Sequence, residues 1–376
     1  MTYGCAAPLR YNAPMSHRIV QVNIPGNPSY EITVAPGLLD RAGSLLRNLS
    51  QSNKAAVVTD SHLAAAHWPA LRRSLESAGF EPIIATLPAG EDHKTLSDLL
   101  PVYDALLGAR VERSMPILAL GGGVVGDMTG FIAATVLRGV PFVQIPTSLL
   151  AMVDASVGGK TGVNHTVGKN LIGAFHQPIA VLIDPQVLTT LPQRELRGGL
   201  AECIKHDIIR DAQGFADLEQ NIHRALALDI DYLTGLIAHN VAIKARVVEA
   251  DPFEKGDRAH LNFGHTFGHA IESVSRYAYS HGECVALGMA AASFAAMKLG
   301  LIDSTARERI LAVIQNAGLP VDGMKLDLGE VMDSMHFDKK VKSGRIRFVL
   351  PDRIGHVVIR DDVPEALVRE AVESLR

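Results

Sequence analysis

The sequence predicts an α/β region followed by a mainly α region, and three observations carry that prediction. Short apolar, β-rich runs alternate with helical periods as far as Val181–Ile183, the pattern of a parallel sheet with crossover helices. From about Gln193 helical periods dominate, and only Ile346–Leu350 and His356–Ile359 read as strands. The 376 residues exceed what one hydrophobic core ordinarily serves, so two domains are expected, over 18–192 and 193–376. Residues 1–17 mix Gly, Pro, Ala and Asn without periodicity and read as a disordered tail.

Taken in order, Arg18–Ile24 and Tyr30–Val34 are β-rich runs around a Pro-Gly-Asn-Pro turn signal. Gly37–Leu49 has a helical period. Lys54–Asp60 is a short apolar run ending in Asp, the texture of a buried parallel strand. His62–Ala78 is helical, Pro82–Leu87 a strand, and a helix runs to about Ala109 after the polar stretch Ala89–Lys94. Met115–Leu120 and Pro141–Ile145 are further apolar strands. Between Pro146 and Asn170 the density of Gly, Lys, Asn, Thr and Asp reads as one long loop region, either a solvated turn or a site for phosphate or carboxylate. Helices are then expected over Glu195–Arg210, Gly214–Leu226, Tyr232–Asp251, Leu261–Arg276, Cys284–Gly300, Ser304–Ala317, Leu328–Met335 and Pro364–Leu375.

Composition narrows the function classes. A net charge of −4 leaves no basic footprint for nucleic acid or an acidic membrane, and 5% aromatic residues argue against base-stacking surfaces. The most apolar segment, Cys284–Leu299, is interrupted by Gly and Lys, so it reads as a buried helix and not a membrane span. No apolar run of signal-peptide length opens the chain. Cys5, Cys203 and Cys284 are odd in number and far apart, which points to a reducing, cytoplasmic setting without a disulfide framework. Cys203 and Cys284 each adjoin a candidate site carboxylate, so each reads either as a small core filler or as a thiolate ligand.

Two stretches carry chemistry. Gly121–Gly126 satisfies GxGxxG between a strand and a helix, where glycines admit a pyrophosphate and the helix N-terminus supplies positive potential; Asp127 in the first turn can accept from a ribose hydroxyl. The run is not the first βα turn, however, and the acid expected about twenty residues on is missing, so a close helix–strand crossing is the competing explanation. The second stretch is Leu261–Glu272, LNFGHTFGHAIE, read as one amphipathic helix with His265 and His269 four apart on one face. With Glu202 in GLAECIKHDII and the Ser280-His281-Gly282-Glu283 cluster, these histidines form either a polar interface or a borderline-soft site for a divalent ion such as zinc. The HxxxH spacing lacks the Glu of HExxH, which weakens a metalloprotease reading.

Seven blocks in order, GGGVVGDMTGF, QIPTSLLAMVDASVGGKTGVN, GKNLIGAFHQP, LRGGLAECIKH, LNFGHTFGHAIE, SHGECVALGM and MHFDKK, make the chain from about Arg18 onward resemble 3-dehydroquinate synthases. The resemblance implies a Rossmann-like NAD-binding domain, a C-terminal helical metal-binding domain, and an active site in the cleft between them. It implies zinc, with cobalt as an alternative, held by Glu202, His265 and His281, which leaves His269 facing the pocket without ligating. It implies NAD met by Asp60, Glu91, Lys94, Gly122, Gly123, Val124, Val125, Gly126, Asp127, Thr147, Ser148, Lys160, Lys169 and Thr190. Substrate would be met by Asp154, Lys160, Asn170, Lys205, Lys244, Arg258, Asn262, His269, Lys339 and Lys340. Arg138 resembles the arginine that the family lends to a neighbouring subunit's phosphate pocket, which implies a homodimer. The implied reaction converts 3-deoxy-D-arabino-heptulosonate 7-phosphate to 3-dehydroquinate and phosphate, by transient oxidation with NAD, β-elimination, re-reduction, ring opening and aldol closure. The sequence departs in reading PTSLL where PTTLL is common, and in carrying His62 where some relatives have Asn. The rivals are a sugar-phosphate cyclase of secondary metabolism, a metal-dependent polyol dehydrogenase and a non-catalytic NAD-sensing binding protein. The basic groups of the DKK block with Arg258 and Asn262 favour a substrate bearing a second anion.

Overall fold

The computed structural model describes residues 17–376 apart from residues 255, 277 and 342–345, and leaves the side chains of 336–341 undescribed. The expected tail therefore lies, His17 excepted, outside the described residues. The chain forms two compact units. The first holds the chain up to Thr190 together with Leu228–Ala245, and the second holds Leu191–Ala227 and Arg246–Arg376. The stretch Leu228–Ala245, which the sequence assigns to the second region, thus groups with the first.

The first unit is built on a seven-stranded sheet. Its strands are β1 (Arg18–Val22), β2 (Tyr30–Val34), β3 (Lys54–Asp60), β4 (Glu81–Leu87), β5 (Ile117–Gly121) and β6 (Phe142–Pro146). A separate hairpin of β7 (Lys160–His165) and β8 (Gly168–Phe175) follows, and then β9 (Ala180–Ile183) completes the sheet. The sheet order is β1-β2-β9-β6-β5-β3-β4, and every pairing except β1 with β2 is parallel. The central strands β5, β6 and β9 are buried at every position, because helices shield both faces of a parallel sheet. The helices are α1 (Ala42–Leu49), α2 (Leu63–Ser77), α3 (Leu96–Gly108) and α4 (Gly123–Thr135). From β3 the chain crosses outward to β4, returns to β5 on the other side of β3, and continues to β6. The direction reverses between β3 and β5, so their carboxyl ends form the crevice where open α/β sheets bind ligands. This explains why the glycine run is not in the first βα turn: it follows the strand that flanks the switch point.

The long-loop reading of 147–170 is corrected here. Ala151–Ala155 is a single π-helical turn, and Lys160–Phe175 is a two-stranded hairpin. Its glycines are strand glycines. A Cβ on Gly162 would stand 2.4 Å from the Ile172 carbonyl oxygen, and one on Gly173 2.2 Å from that of Thr161. The strands approach too closely for side chains there, which removes the β-branched residues by which a strand is recognised.

The second unit is mainly helical: α5 (Gln193–Arg210), α6 (Ala212–Leu226), α7 (Ile230–Ala250, shared with the first unit), α8 (His265–Ser275), α9 (His281–Lys298), α10 (Ser304–Asn316), α11 (Leu328–Val341) and α12 (Glu365–Glu373). An antiparallel pair, β10 (Phe348–Arg353) and β11 (His356–Arg360), completes it. The expected single helix from Leu261 is broken. A 3₁₀ stretch covers Asp257–Asn262, Gly264 takes φ +78°, and α8 begins at His265. Only glycine fits there, since a Cβ would lie 2.8 Å from Met289 Cγ and 2.9 Å from the Val285 carbonyl oxygen. Among the described residues no helix is long and apolar enough to cross a membrane.

Candidate active site

In the first unit the glycine run divides by function. A Cβ on Gly126 would come within 2.7 Å of Gln144 Oε1, and one on Gly130 within 2.3 Å of Thr161 Cγ2, so these two serve helix–strand packing. Gly122 and Gly123 differ: a Cβ would meet Ser148 Oγ at 3.5 Å and Ala155 Cβ at 3.4 Å, both ordinary contacts. Among the described residues no close packing contact requires glycine at those two positions. No side chain caps the N-terminus of α4, so its first N–H groups are available to an anion. Val125 is buried and Val124 half-buried.

Around that helix end the structure gathers several, though not all, of the residues named separately by the sequence. Lys94 is buried, and its Nζ donates to Asp127 Oδ2 and to Asn170 Oδ1, each at 2.5 Å. Burial raises the Asp127 carboxyl pKa, and the Lys94 ammonium opposes the rise. Glu91 Oε1 accepts from Asn164 Nδ2 at 2.9 Å and lies 3.8 Å from Lys169 Nζ. Asp60, at the carboxyl end of β3, accepts through Oδ1 from the N–H groups of His62 and Leu63, fastening the entry to α2. Thr147 donates its N–H to the Gly121 carbonyl, and Ser148 Oγ accepts from Ala151 N. Thr190 Oγ1 donates to the Val187 carbonyl and sits 3.0 Å from His67 Nε2, whose pKa burial lowers. Lys160 is exposed at the start of β7. Lys244 is buried and donates to the Asp154 carbonyl oxygen at 2.6 Å, with its Nζ also 2.6 Å from Asp154 Oδ1. Arg138 stands apart, exposed in a turn where Leu137 and Arg138 take φ 50° and 66°. The length of α4 separates it from Gly123 by roughly 20 Å.

In the second unit three elements converge. Glu202 on α5 is 1% exposed. His265 opens α8 and His281 opens α9, and their Nε2 atoms lie 3.8 and 3.5 Å from Glu202 Oε1. One donor atom from each of the three falls within 4.8 Å of the others. Ligand atoms around a tetrahedral divalent ion bound at about 2.0–2.1 Å stand roughly 3.3 Å apart. A carboxylate with two imidazoles at these separations therefore suits a zinc-like ion. Burying that carboxylate is costly without compensating positive charge, and Lys205 Nζ forms an ion pair with it. His265 Nδ1 lies 3.1 Å from the Phe263 carbonyl, to which it donates, leaving the Nε2 lone pair toward Glu202. Burial, chiefly, lowers the His265 pKa to about 3, so the ring is neutral. Burial also lowers His281, but the carboxylates of Glu202 and Glu272 outweigh it and hold its pKa at about 9.

The convergence depends on glycine. A Cβ on Gly282 would lie 2.2 Å from Gly198 Cα, and one on Gly288 1.9 Å from the Gly264 carbonyl oxygen. Bare backbone lets α5, α8 and α9 close to the distance at which their side chains share a centre. A capping box of Ser280 and Glu283 starts α9, and Arg194 on α5 clasps Glu283 at 3.0 and 2.6 Å.

His269 shares a helix face with His265, with ring centroids 5.3 Å apart, yet it is not in the three-ligand group. That corrects the pairing suggested by spacing alone. Cys203 is fully buried and its thiol pKa is pushed well up by burial, so it fills core and is no thiolate. Arg258 is buried and donates to the Pro252 carbonyl at 2.7 Å; Asn262 donates to Glu254 Oε1 at 3.2 Å. Lys339 and Lys340 lie on α11, with side chains outside the described set. Sequence reasoning missed Asn164 and Glu272. Each ends a quoted motif, Asn164 the block QIPTSLLAMVDASVGGKTGVN and Glu272 the block LNFGHTFGHAIE, but nothing in its spacing marks out its contacts.

The chain is similar over nearly its whole length to proteins of one family. The family model described as 3-dehydroquinate synthase N-terminal matches residues 84–198, and 3-dehydroquinate synthase C-terminal matches 199–341. The 3-dehydroquinate synthase of Nostoc punctiforme is 47% identical over 361 residues, covering 95% of this chain and 99% of its own. That of Nitrosomonas europaea is 48% identical, covering 96% and 98%. Among solved structures, 2-epi-5-epi-valiolone synthase from Streptomyces hygroscopicus, with NAD+ and Zn2+ bound, aligns with TM-score 0.86 at 30% identity over 94% of this chain and 98% of its own. A 2-deoxy-scyllo-inosose synthase at 23% identity and TM-score 0.85, over 95% and 100%, shares the fold. With family models spanning both units and relatives near half-identical over almost the whole length, the chain belongs to the 3-dehydroquinate synthase family.

Proposed function

We propose that the protein is a cytoplasmic 3-dehydroquinate synthase, converting 3-deoxy-D-arabino-heptulosonate 7-phosphate to 3-dehydroquinate and phosphate. Its place is the shikimate route to aromatic amino acids. The observation that carries the reading is the Glu202–His265–His281 group in a chain nearly half identical to enzymes of that name. NAD belongs at the carboxyl ends of β3 and β5, against Asp60, Gly122–Asp127, Thr147 and Ser148, with Glu91, Lys94, Lys160, Lys169 and Thr190 around it. When bound, NAD supplies a reversible hydride acceptor and the divalent ion supplies Lewis acidity.

The chain's own residues supply charge and orientation. Glu202, His265 and His281 hold the ion, and the neutral His265 offers Nε2 without first losing a proton. Lys160, Lys205, Lys244, Arg258, Lys339 and Lys340 match a substrate that carries both a phosphate and a carboxylate. Asp154 holds Lys244 in place through two contacts at 2.6 Å. Asn170, Asn262 and His269 orient hydroxyls. Arg138, about 20 Å from its own α4 N-terminus, serves the phosphate of the neighbouring subunit in a homodimer. Leu171 and Phe175 are 61% and 55% exposed on β8, apolar surface of the kind a second copy covers.

The deciding assay is release of inorganic phosphate from the heptulosonate phosphate with zinc and a trace of NAD+. Many turnovers per NAD+ and no accumulating NADH are expected. Stoichiometric NADH would make the protein a polyol dehydrogenase, and turnover only of a substrate lacking the carboxylate would make it a cyclase of secondary metabolism.

A further inference from the structure

Asn164 lies where the β7–β8 hairpin is irregular. Val163 pairs with Ile172, but His165 pairs with Gly168, so Asn164 alone faces residues 169–171. Such a bulge unpairs backbone groups and re-aims side chains. Here the Asn164 amide groups find partners outside the ladder. Asn164 N donates to the Lys94 carbonyl oxygen at 2.7 Å. Asn164 Nδ2 donates to Glu91 Oε1 at 2.9 Å, and Asn164 Oδ1 accepts from Asn170 N at 2.9 Å. Asn170 takes φ 55°, a left-handed conformation that asparagine tolerates but that needs support. In that conformation Asn170 Oδ1 meets Lys94 Nζ at 2.5 Å, and Lys94 also meets Asp127.

We infer that Asn164 is a positioning residue for the cofactor-binding cluster: one side-chain amide fixes Glu91 on the 88–95 segment and Asn170 on the hairpin in a single arrangement. The pair of bonds needs a donor and an acceptor on one short side chain, which an amide supplies. A carboxylate cannot donate to Glu91, and a hydroxyl is too short to span both partners. Two elements far apart in sequence are thereby held in one register, and the Lys94 ammonium is aimed between Asp127 and Asn170. The inference rests on the proposal that this cluster receives NAD.

The test is calorimetric titration of NAD+ into the full chain. Asn164→Ala is expected to weaken NAD+ by about tenfold or more, with the melting temperature little changed. Asn164→Asp keeps the acceptor for Asn170 N but sets a carboxylate against Glu91, and is expected to bind more weakly still. Pairing it with Glu91→Gln restores a hydrogen bond with donor and acceptor exchanged, so the double variant should bind within about threefold of Glu91→Gln alone. Protection of the Asn170 amide against hydrogen exchange should fall in Asn164→Ala and return in the double variant. Wild-type-like NAD+ affinity in Asn164→Ala, or strictly additive losses in the double variant, overturns the inference while the cofactor site stands. Failure of the wild-type chain to bind NAD+ overturns the site and the inference together.

Discussion

At the scale of single residues, environment assigns roles that residue type leaves open. Two histidines of the same cluster are driven in opposite directions, His265 to about 3 by burial and His281 to about 9 by two carboxylates. Glu202→Gln removes the charge that faces both. It should therefore cost at least about tenfold in zinc affinity, read as metal content after dialysis against a weak chelator; His265→Ala should do the same. Retention of stoichiometric zinc by either variant would refute the ligand assignment. Lys160 is exposed, so Lys160→Ala should unfold at the wild-type temperature while losing about a hundredfold or more in kcat, checked by melting curves beside steady-state rates. The candidate ligands were visible in the sequence as types, but their choice was not. Spacing on one helix pairs His265 with His269, whereas the third candidate ligand, His281, arrives on α9, and no periodicity reports which helices cross.

At the scale of elements, glycines decide how near those helices come. The crossing of α5 and α9 at Gly198 and Gly282 sets Glu202 and His281 within reach of each other. Gly282→Ala must push α9 away, since its Cβ would overlap Gly198 Cα. The expected outcome is a loss of about 1–3 kcal/mol of stability together with weakened zinc binding, measured by denaturant titration with and without metal. An equal loss with and without zinc would mean that the crossing matters for packing and not for the centre. The parallel sheet was legible because its strands are apolar runs of ordinary length. The β7–β8 hairpin was not, because close backbone approach sets glycines at 162 and 173 among its β-formers and breaks up the strand pattern. The break before α8 was hidden likewise: Phe263-Gly264 continues an apolar period while φ +78° at Gly264 ends the turn. In each case a tertiary demand overrode local propensity.

At the scale of the whole molecule, Arg138 is the residue on which the proposed homodimer can be tested. It is exposed beyond the far end of α4, and two consecutive left-handed residues turn the backbone there. Non-glycine residues adopt that conformation at a cost, and such strain persists where the surroundings demand it. If Arg138 completes a neighbour's phosphate pocket, every site combines Lys160 from one chain with Arg138 from the other. Arg138→Ala and Lys160→Ala homodimers should then both be nearly inactive, each site lacking one group. Unfolding and refolding the two variants together generates mixed dimers. In each mixed dimer one site has both residues intact and the other has neither, so a statistical mixture should recover about a quarter of wild-type activity. Were Arg138 to act within its own chain, every site in every dimer would carry one defect, and mixing would recover nothing. The experiment thus separates a shared site from a self-contained one by activity alone.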